Sequence, residues 1–311
     1  MPLIPNSNKN YQNDQNKAPV QQGVQFNKTA PIYTFSDLIL SDKTFDELKT
    51  VVSAQKNWKK VFVDWGLGTV MKERKNLFVN LYGESGTGKS MSAHAIADAL
   101  GKKLICVNYA DIESKYVGET SKNLSKLFSD PTNKDDIIFF DEADALLSKR
   151  VTDMSSATDV SVNQTRSVLL TLLNSYEGMV IFATNFISNY DSAFMRRIHY
   201  HIRFELPNEE LREKLWKHYI PPQMSVNVDI HKLAVEHDRL SGSDISTAVM
   251  KAALNAAKND AAVVSEKDFM LAVESIIASK KANKSASNTV VTKSEIVDAK
   301  DVPLSIRNKT I

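Results

Sequence analysis

The run Gly83-Glu84-Ser85-Gly86-Thr87-Gly88-Lys89-Ser90 satisfies G-x-x-x-x-G-K-[ST] at every fixed position. Glycines let a chain turn tightly enough for backbone N–H groups to converge on one anion, and phosphate oxygens suit such a cradle. In this pattern Lys89 reaches the β- and γ-phosphates of a nucleotide and the Ser90 hydroxyl ligates Mg2+. The motif has meaning only between a strand and a helix. Leu77 to Tyr82 is an apolar run of strand length, and Met91 to Leu100 is compatible with a helix closed by Gly101. A helix beginning there adds partial positive charge beside the phosphates. A glycine-rich turn can match by accident, but with both flanks correct the stretch reads as a nucleotide-binding loop.

A second pair of chemical residues follows another apolar run. Ile137 to Phe140 ends in Asp141-Glu142, and the carboxyl ends of strands are where open α/β sheets place their ligands. A carboxylate there can hold Mg2+, and its neighbour can orient or deprotonate an attacking water. Two acids after a strand also make an ordinary solvated turn; the nucleotide loop earlier in the chain favours the chemical reading.

The elements that must position these groups can be read from pattern. The chain has 311 residues, 42% hydrophobic and 24% charged, with a net charge of +2. This is globular composition with no global basic excess to call for nucleic acid or a membrane. The single cysteine, Cys106, excludes an internal disulfide framework and reads as a small buried hydrophobe. The start has no secretory pattern and no stretch is long and apolar enough to span a bilayer, so a cytoplasmic protein without membrane insertion is expected.

Residues 1–30, rich in Asn, Gln and Lys, are expected to form a flexible arm. Ser41 or Asp42 caps an expected helix through Phe45, Leu48 and Val52 that breaks near Trp65-Gly66. Strands are expected at Leu104 to Asn108, Met179 to Ala183 and His201 to Phe204. Helical patterns occupy Ala143 to Lys149 and Asn163 to Tyr176, with a Ser/Thr/Asp-rich loop from Val151 to Val162. Strands alternating with helices predict an α/β fold, a mostly parallel sheet covered on both faces. After Leu206-Pro207 strand signals stop. Helices are expected at Glu209 to Tyr219, Ile230 to His237, Asp244 to Lys258 and Glu266 to Ser279, the last opened by a Ser265–Asp268 capping box. The expected organisation is an arm (1–30), an α/β nucleotide-binding domain (31–207), a small all-α lid (208–280) and a flexible tail (281–311).

With these residues in place, the chain resembles the AAA ATPases from about Phe35 to Ile277. GESGTGKS is similar to their Walker A and FFDEADALLSKR to their Walker B. TFSDLIL resembles the entry segment beside adenine, SKYVGET the first pore loop, ATN at Ala183 to Asn185 sensor 1, DSAFMRRI the arginine-finger segment, and LSGSDI the lid signature of the AAA clade proper. The narrower likeness is to bacterial and phage-type single-ring members. The fold implied is a P-loop NTPase sheet followed by a helical lid.

The resemblance implies roles. Glu142 would activate water with Asn185, while Arg196 and Arg197 would enter a neighbouring subunit's site. Ser90 and Asp141 would hold Mg2+. ATP would be bound by Asp37, Leu38, the loop Gly83, Glu84, Ser85, Gly86, Thr87, Gly88, Lys89 and Ser90, then Met91, and in the lid by His218, Gly242 and Ser243. Lys115, Tyr116 and Val117 would grip polypeptide in a central pore, an aromatic tip giving sequence-tolerant contact at low entropy cost. Glu84-Ser85 stands where the family commonly has Pro-Pro, at variable positions, so binding should survive; the added carboxylate would lower affinity. Taken singly, Asn185 reads as a turn residue, Arg196-Arg197 as solvated, Tyr116 as packed and His218 as structural.

The function implied is a Mg-ATP-dependent homo-oligomer, a hexamer by resemblance, that remodels a protein substrate with or without an adaptor. Two alternatives stand beside it. A nucleic-acid motor or loader has only the basic tail after Lys280 in its favour. A slow nucleotide switch or assembly scaffold sits poorly with the intact Asp141, Glu142, Asn185 and Arg196 set.

Overall fold

Strands that are apolar throughout, without alternation, must be covered on both faces, and this dictates the centre of the fold. The computed structural model describes residues 26–71, 76–107, 119–148, 157–185 and 190–287. Among them β1 (Lys28–Thr29), β2 (Leu77–Gly83), β3 (Leu104–Val107), β4 (Ile137–Phe140), β5 (Met179–Thr184) and β6 (Tyr200–Phe204) form one sheet in the order β1-β3-β4-β5-β2-β6. β2, β3, β4 and β5 pair in parallel; Val79 stands opposite Ile181, Phe139 opposite Ile181 and Cys106 opposite Phe139. Every residue of β4 and β5 is buried.

The chain divides into two compact units. Among the described residues, one comprises 26–35 with those of Leu48–Tyr82 and Ser90–Ile202; the other comprises Ser36–Glu47, Gly83–Lys89 and 203–287. The loop Gly83–Lys89 belongs with the helical unit because Gly83 abuts Phe204 and Gly86 hydrogen-bonds Ser243.

In the first unit α2 (Lys89–Leu100), α3 (Glu119–Ser129), the short α4 (Asp144–Leu147), α5 (Ala157–Ser175) and the short α6 (Ser192–Met195) accompany the sheet. Leu124, Leu127 and Phe128 of α3 and Leu169 and Leu173 of α5 share a core with Phe78, Ile138, Phe140 and Phe182. Phe140 and Phe182 stack at 5.4 Å between centroids. A single polar side chain, Asn80, is fully buried within β2. The Thr184 hydroxyl donates to its Oδ1 at 3.4 Å, and the Tyr190 hydroxyl lies beside both. Burial pushes the Tyr190 pKa well above its ordinary value.

In the helical unit α7 (Glu209–Tyr219), α8 (Ile230–Glu236), α9 (Gly242–Lys258) and α10 (Glu266–Ser287) surround Trp216, which is fully buried and meets Phe269 edge-on at 6.0 Å. Side chains satisfy the otherwise orphaned N–H groups at their starts: Asn208, Asp229 and Ser241 cap α7, α8 and α9. At α10 the expected reciprocal box is formed, with Ser265 N–H donating to Asp268 and Asp268 N–H to Ser265 Oγ. α1 (Asp42–Lys56) is capped by Ser41, which accepts from Thr44 N–H at 3.2 Å.

Several expectations are corrected. Lys28–Thr29, assigned to the arm, pairs antiparallel with β3, covering an edge that would otherwise be open. Cys106 is exposed, although its Sγ lies 3.8 Å from Thr29 Oγ1 of β1. α1 ends at Lys56, where the Asn57 side chain bonds back to Ser53 O; the segment Lys60–Asp64 forms a separate wide helical turn ending at Trp65. α5 begins at Ala157, inside the stretch read as a loop. Two-residue strands β7 (Val226–Asn227) and β8 (Val264–Ser265) pair in parallel within the helical part, too short to leave a periodic signal. α10 runs to Ser287, past the expected tail boundary, since Lys281, Ala282, Lys284 and Ala286 favour helix and neither Gly nor Pro intervenes. Among the described residues no helix is long and apolar enough to cross a membrane.

Candidate nucleotide site

The loop from Gly83 to Gly88 joins β2 to α2 with positive φ at three glycines: +147° at Gly83, +75° at Gly86 and +100° at Gly88. At Gly83 a Cβ would lie 2.0 Å from Phe204 O, so no side chain fits. At Gly86 it would lie 2.6 Å from Ser241 Oγ and 2.7 Å from Ser243 Cβ. This close approach joins the loop to the start of α9, where Ser243 N–H donates to Gly86 O at 3.1 Å. Within the loop, Thr87 Oγ1 donates to Glu84 O at 2.7 Å. Lys89 is buried, and its Nζ donates to Gly83 O and Glu84 O at 2.8 Å each. The lysine is thus curled back over its own loop.

Gly86→Ala is expected to weaken nucleotide binding at least roughly tenfold while leaving the helical content intact. Left-handed backbone costs an L-residue about 1–2 kcal/mol, and the new methyl must push Ser241 aside. Titration with a fluorescent nucleotide, alongside circular dichroism, measures both.

Ser90 follows Lys89 at the first turn of α2, and its Oγ donates to Asp141 Oδ2 at 2.8 Å. A hydroxyl and a carboxylate brought together are hard oxygen donors, the set that Mg2+ uses when phosphates and water complete its shell. The residues present fit that ion. Glu142 is exposed and has φ of +50°, unusual for a residue with a side chain, and its N–H donates to Asp141 Oδ1 at 3.0 Å. Strained backbone of this kind concentrates at functional sites. Asn185 follows β5, and its N–H reaches both oxygens of Asp144 at 3.2 and 3.3 Å. Ala143 N–H donates to Ala183 O at 2.9 Å. The ends of β4 and β5 are therefore laced together just past Glu142.

The arginine pair sits at the end of α6, whose N-terminus Asp191 caps. Arg196 is exposed, and its Nε donates to Ser192 O of its own turn at 3.3 Å. Arg197 bonds Asn174 Oδ1 through Nε and Ala193 O through Nη1, both at 2.7 Å. The two are not equivalent: Arg197 is fastened to its own chain. α6 is also tied to the segment after Glu142, since Asp191 N–H donates to Leu147 O at 2.9 Å and Ser148 bridges Tyr190. Buried Arg166 of α5 donates to Ser148 Oγ at 2.5 Å.

The remaining expected residues divide. Asp37 ends a short 3-10 turn, Phe35–Asp37, and Leu38 is buried after it. Gly242 opens α9, where a Cβ would lie 3.5 Å from Gly86 O. His218 is exposed on α7, edge-on to Tyr219 at 5.1 Å. Met91 is half-buried in the first turn of α2. Lys115, Tyr116 and Val117 lie outside the described residues. The sequence reading missed Asp144, Arg166 and the Ser241–Asp244 capping box. The box was legible as S-x-x-D before an apolar run; Arg166, buried by tertiary packing, left no local signal.

Comparison with known proteins agrees with this geometry. Residues 79–206 match the family described as AAA, ATPase family associated with various cellular activities. Over 259 residues the chain is 30% identical to the proteasome-activating nucleotidase of Methanopyrus kandleri, covering 81% of this chain and 58% of that protein. It is 30% identical over 261 residues to the 26S proteasome regulatory subunit 4 homolog of Oryza sativa subsp. japonica, covering 81% and 56%. The proteasome-activating nucleotidase of Methanocella arvoryzae is 32% identical over 207 residues, covering 64% of this chain and 49% of that protein. The chain thus spans about half the length of the curated relatives it matches. The parallel sheet, the glycine loop with its lysine, and these likenesses together show that the chain carries a nucleotide-binding AAA ATPase domain, homologous to the proteasome-activating and 26S regulatory ATPases.

Proposed function

We propose that this protein is a Mg-ATP-dependent ATPase whose subunits form a homo-oligomeric ring, a hexamer, that remodels or unfolds a protein substrate. The observation that supports the reading is the Ser90–Asp141 hydrogen bond, which brings a hydroxyl of the glycine-loop helix to a carboxylate just past β4, beside Glu142. In this reading loop 83–88 binds the phosphates through its N–H groups and Lys89 through charge, while Asp37, Leu38, Gly242 and Ser243 border the base and His218 the base or ribose. Mg2+, held by Ser90 and Asp141, would neutralise charge on the β- and γ-phosphates. Glu142 takes a proton from the attacking water and Asn185 orients it. Arg196 of a neighbouring subunit stabilises charge on the transferring phosphoryl group, and Arg197 supports that segment. Catalysis is mainly positioning and electrostatics, which suits so few reactive side chains.

The relatives' names, a proteasome-activating nucleotidase and a proteasome regulatory subunit, support a protein substrate, delivered directly or by an adaptor. Lys115, Tyr116 and Val117 are its proposed grip. The α/β domain to residue 207 performs the chemistry, and the helices beyond it act as the lid. The test is ATPase rate against protein concentration, with a fluorescent folded protein bearing an unstructured tail as substrate. Rate per subunit should rise cooperatively with concentration. Tyr116→Ala should keep turning over ATP but lose unfolding of the tailed protein. A flat rate per subunit with no substrate unfolded by wild type would replace this reading with a nucleotide switch.

A further inference from the structure

The start of α9 is held by more than its own capping box. Asp244 Oδ2 accepts from Ser241 N–H and Ser241 Oγ, both at 2.7 Å, and Asp244 N–H returns to Ser241 Oγ at 3.3 Å. The same carboxylate oxygen is paired with Nζ of Lys280, far along α10, and that ammonium also donates to Arg239 O at 3.3 Å. One lysine therefore ties together residues 239 and 244, on either side of the first residue of α9. Between them sits Ser241, almost fully buried, with no slack toward Gly86.

The next link is a peptide plane. Ser243 N–H holds Gly86 O. In a trans peptide the C=O and N–H point in opposite directions, so fixing the Gly86 carbonyl toward α9 turns the Thr87 N–H to the opposite side of the loop. A displacement of the α9 start would rotate that peptide and misdirect a phosphate-binding donor. We propose that Lys280 is a positioning residue for the nucleotide loop, acting through the Asp244 carboxylate on the start of α9. The inference rests on the reading of residues 83–90 as the nucleotide loop. It also gives the extended α10 a task, since Lys280 lies where the helix had been expected to end.

The experiment measures equilibrium dissociation constants for a fluorescent ADP analogue with the full chain, well below its melting temperature, for wild type, Lys280→Met, Lys280→Arg, Asp244→Asn and the Lys280→Met/Asp244→Asn double variant. Lys280→Met should weaken binding roughly five- to tenfold, and the double variant should be no weaker than Asp244→Asn alone, as expected for residues acting in one chain of contacts. Lys280→Arg should restore most of the affinity. A Lys280→Met dissociation constant within about twofold of wild type, whatever its melting temperature, overturns the inference, as do fully additive losses. Failure of wild type to bind the analogue would overturn the nucleotide reading itself, and this inference with it.

Discussion

Glu142→Gln should reduce ATP turnover by about 10²- to 10⁴-fold, the range a positioned general base supplies, while nucleotide binding persists. Glutamine keeps the size of the side chain and the same backbone, so the left-handed φ of +50° costs it no more than it costs glutamate. The Glu142 N–H bond to Asp141 also survives, since it uses the main chain. What disappears is the carboxylate that can accept a proton from water. Single-turnover phosphate release at saturating Mg-ATP, with a parallel nucleotide titration, separates the step lost from the binding kept. Equal loss of binding and turnover would mean that Glu142 supports the loop rather than the reaction.

Arg196→Ala should be costlier, about 10³- to 10⁵-fold, the range found for an arginine supplied from outside the site. The expectation attaches to Arg196 because its guanidinium is exposed at the end of α6, whereas Arg197 is spent on Asn174 and Ala193 of its own chain. The decisive form is a mixture. An Arg196→Ala subunit keeps a complete Glu142, and a Glu142→Gln subunit keeps a complete Arg196. If sites are shared between neighbours, mixing the two inactive variants should recover activity at those junctions where an intact Glu142 faces an intact Arg196. No recovery at any ratio, with assembly confirmed by light scattering, would place the arginine's effect within its own subunit.

These residues could be singled out early because their chemistry constrains neighbouring sequence. The loop needs glycine where φ is positive and lysine and serine where phosphates and a cation sit, and its flanks must be strand and helix. The four central strands were legible for a related reason: a strand buried on both faces is apolar nearly throughout, with Asn80 in β2 and Thr184 in β5 as buried polar members. Sequence gave way where structure depends on partners distant in the chain. Lys28–Thr29 is a strand only because β3 offers an edge, and β7 and β8 are two residues each. Cys106 looked buried because its neighbours are apolar, yet it is exposed, since what covers a sheet face is decided by elements distant in the chain. The unequal fates of Arg196 and Arg197 turn on Asn174, more than twenty residues away. Ser41, Asn208, Asp229, Ser241 and Ser265 show the opposite case, local chemistry that decides where a helix starts.

The buried amide of Asn80 carries a consequence for how the chain finds its fold. Strands made wholly of Leu, Ile, Val and Phe can slide past one another with little penalty, because every register buries much the same hydrocarbon. Only when Leu77 stands opposite Met179 does Thr184 come level with the neighbourhood of Asn80 and supply its hydrogen bond. Among the described residues the Asn80 Nδ2 has no partner, so a pairing shifted by one or two residues would take the bond to Oδ1 as well and leave that oxygen unmet, at about 1–3 kcal/mol. The central sheet thereby proofreads its own alignment, and the aligned strands are those whose ends carry the loop to Lys89 and the chain to Asn185.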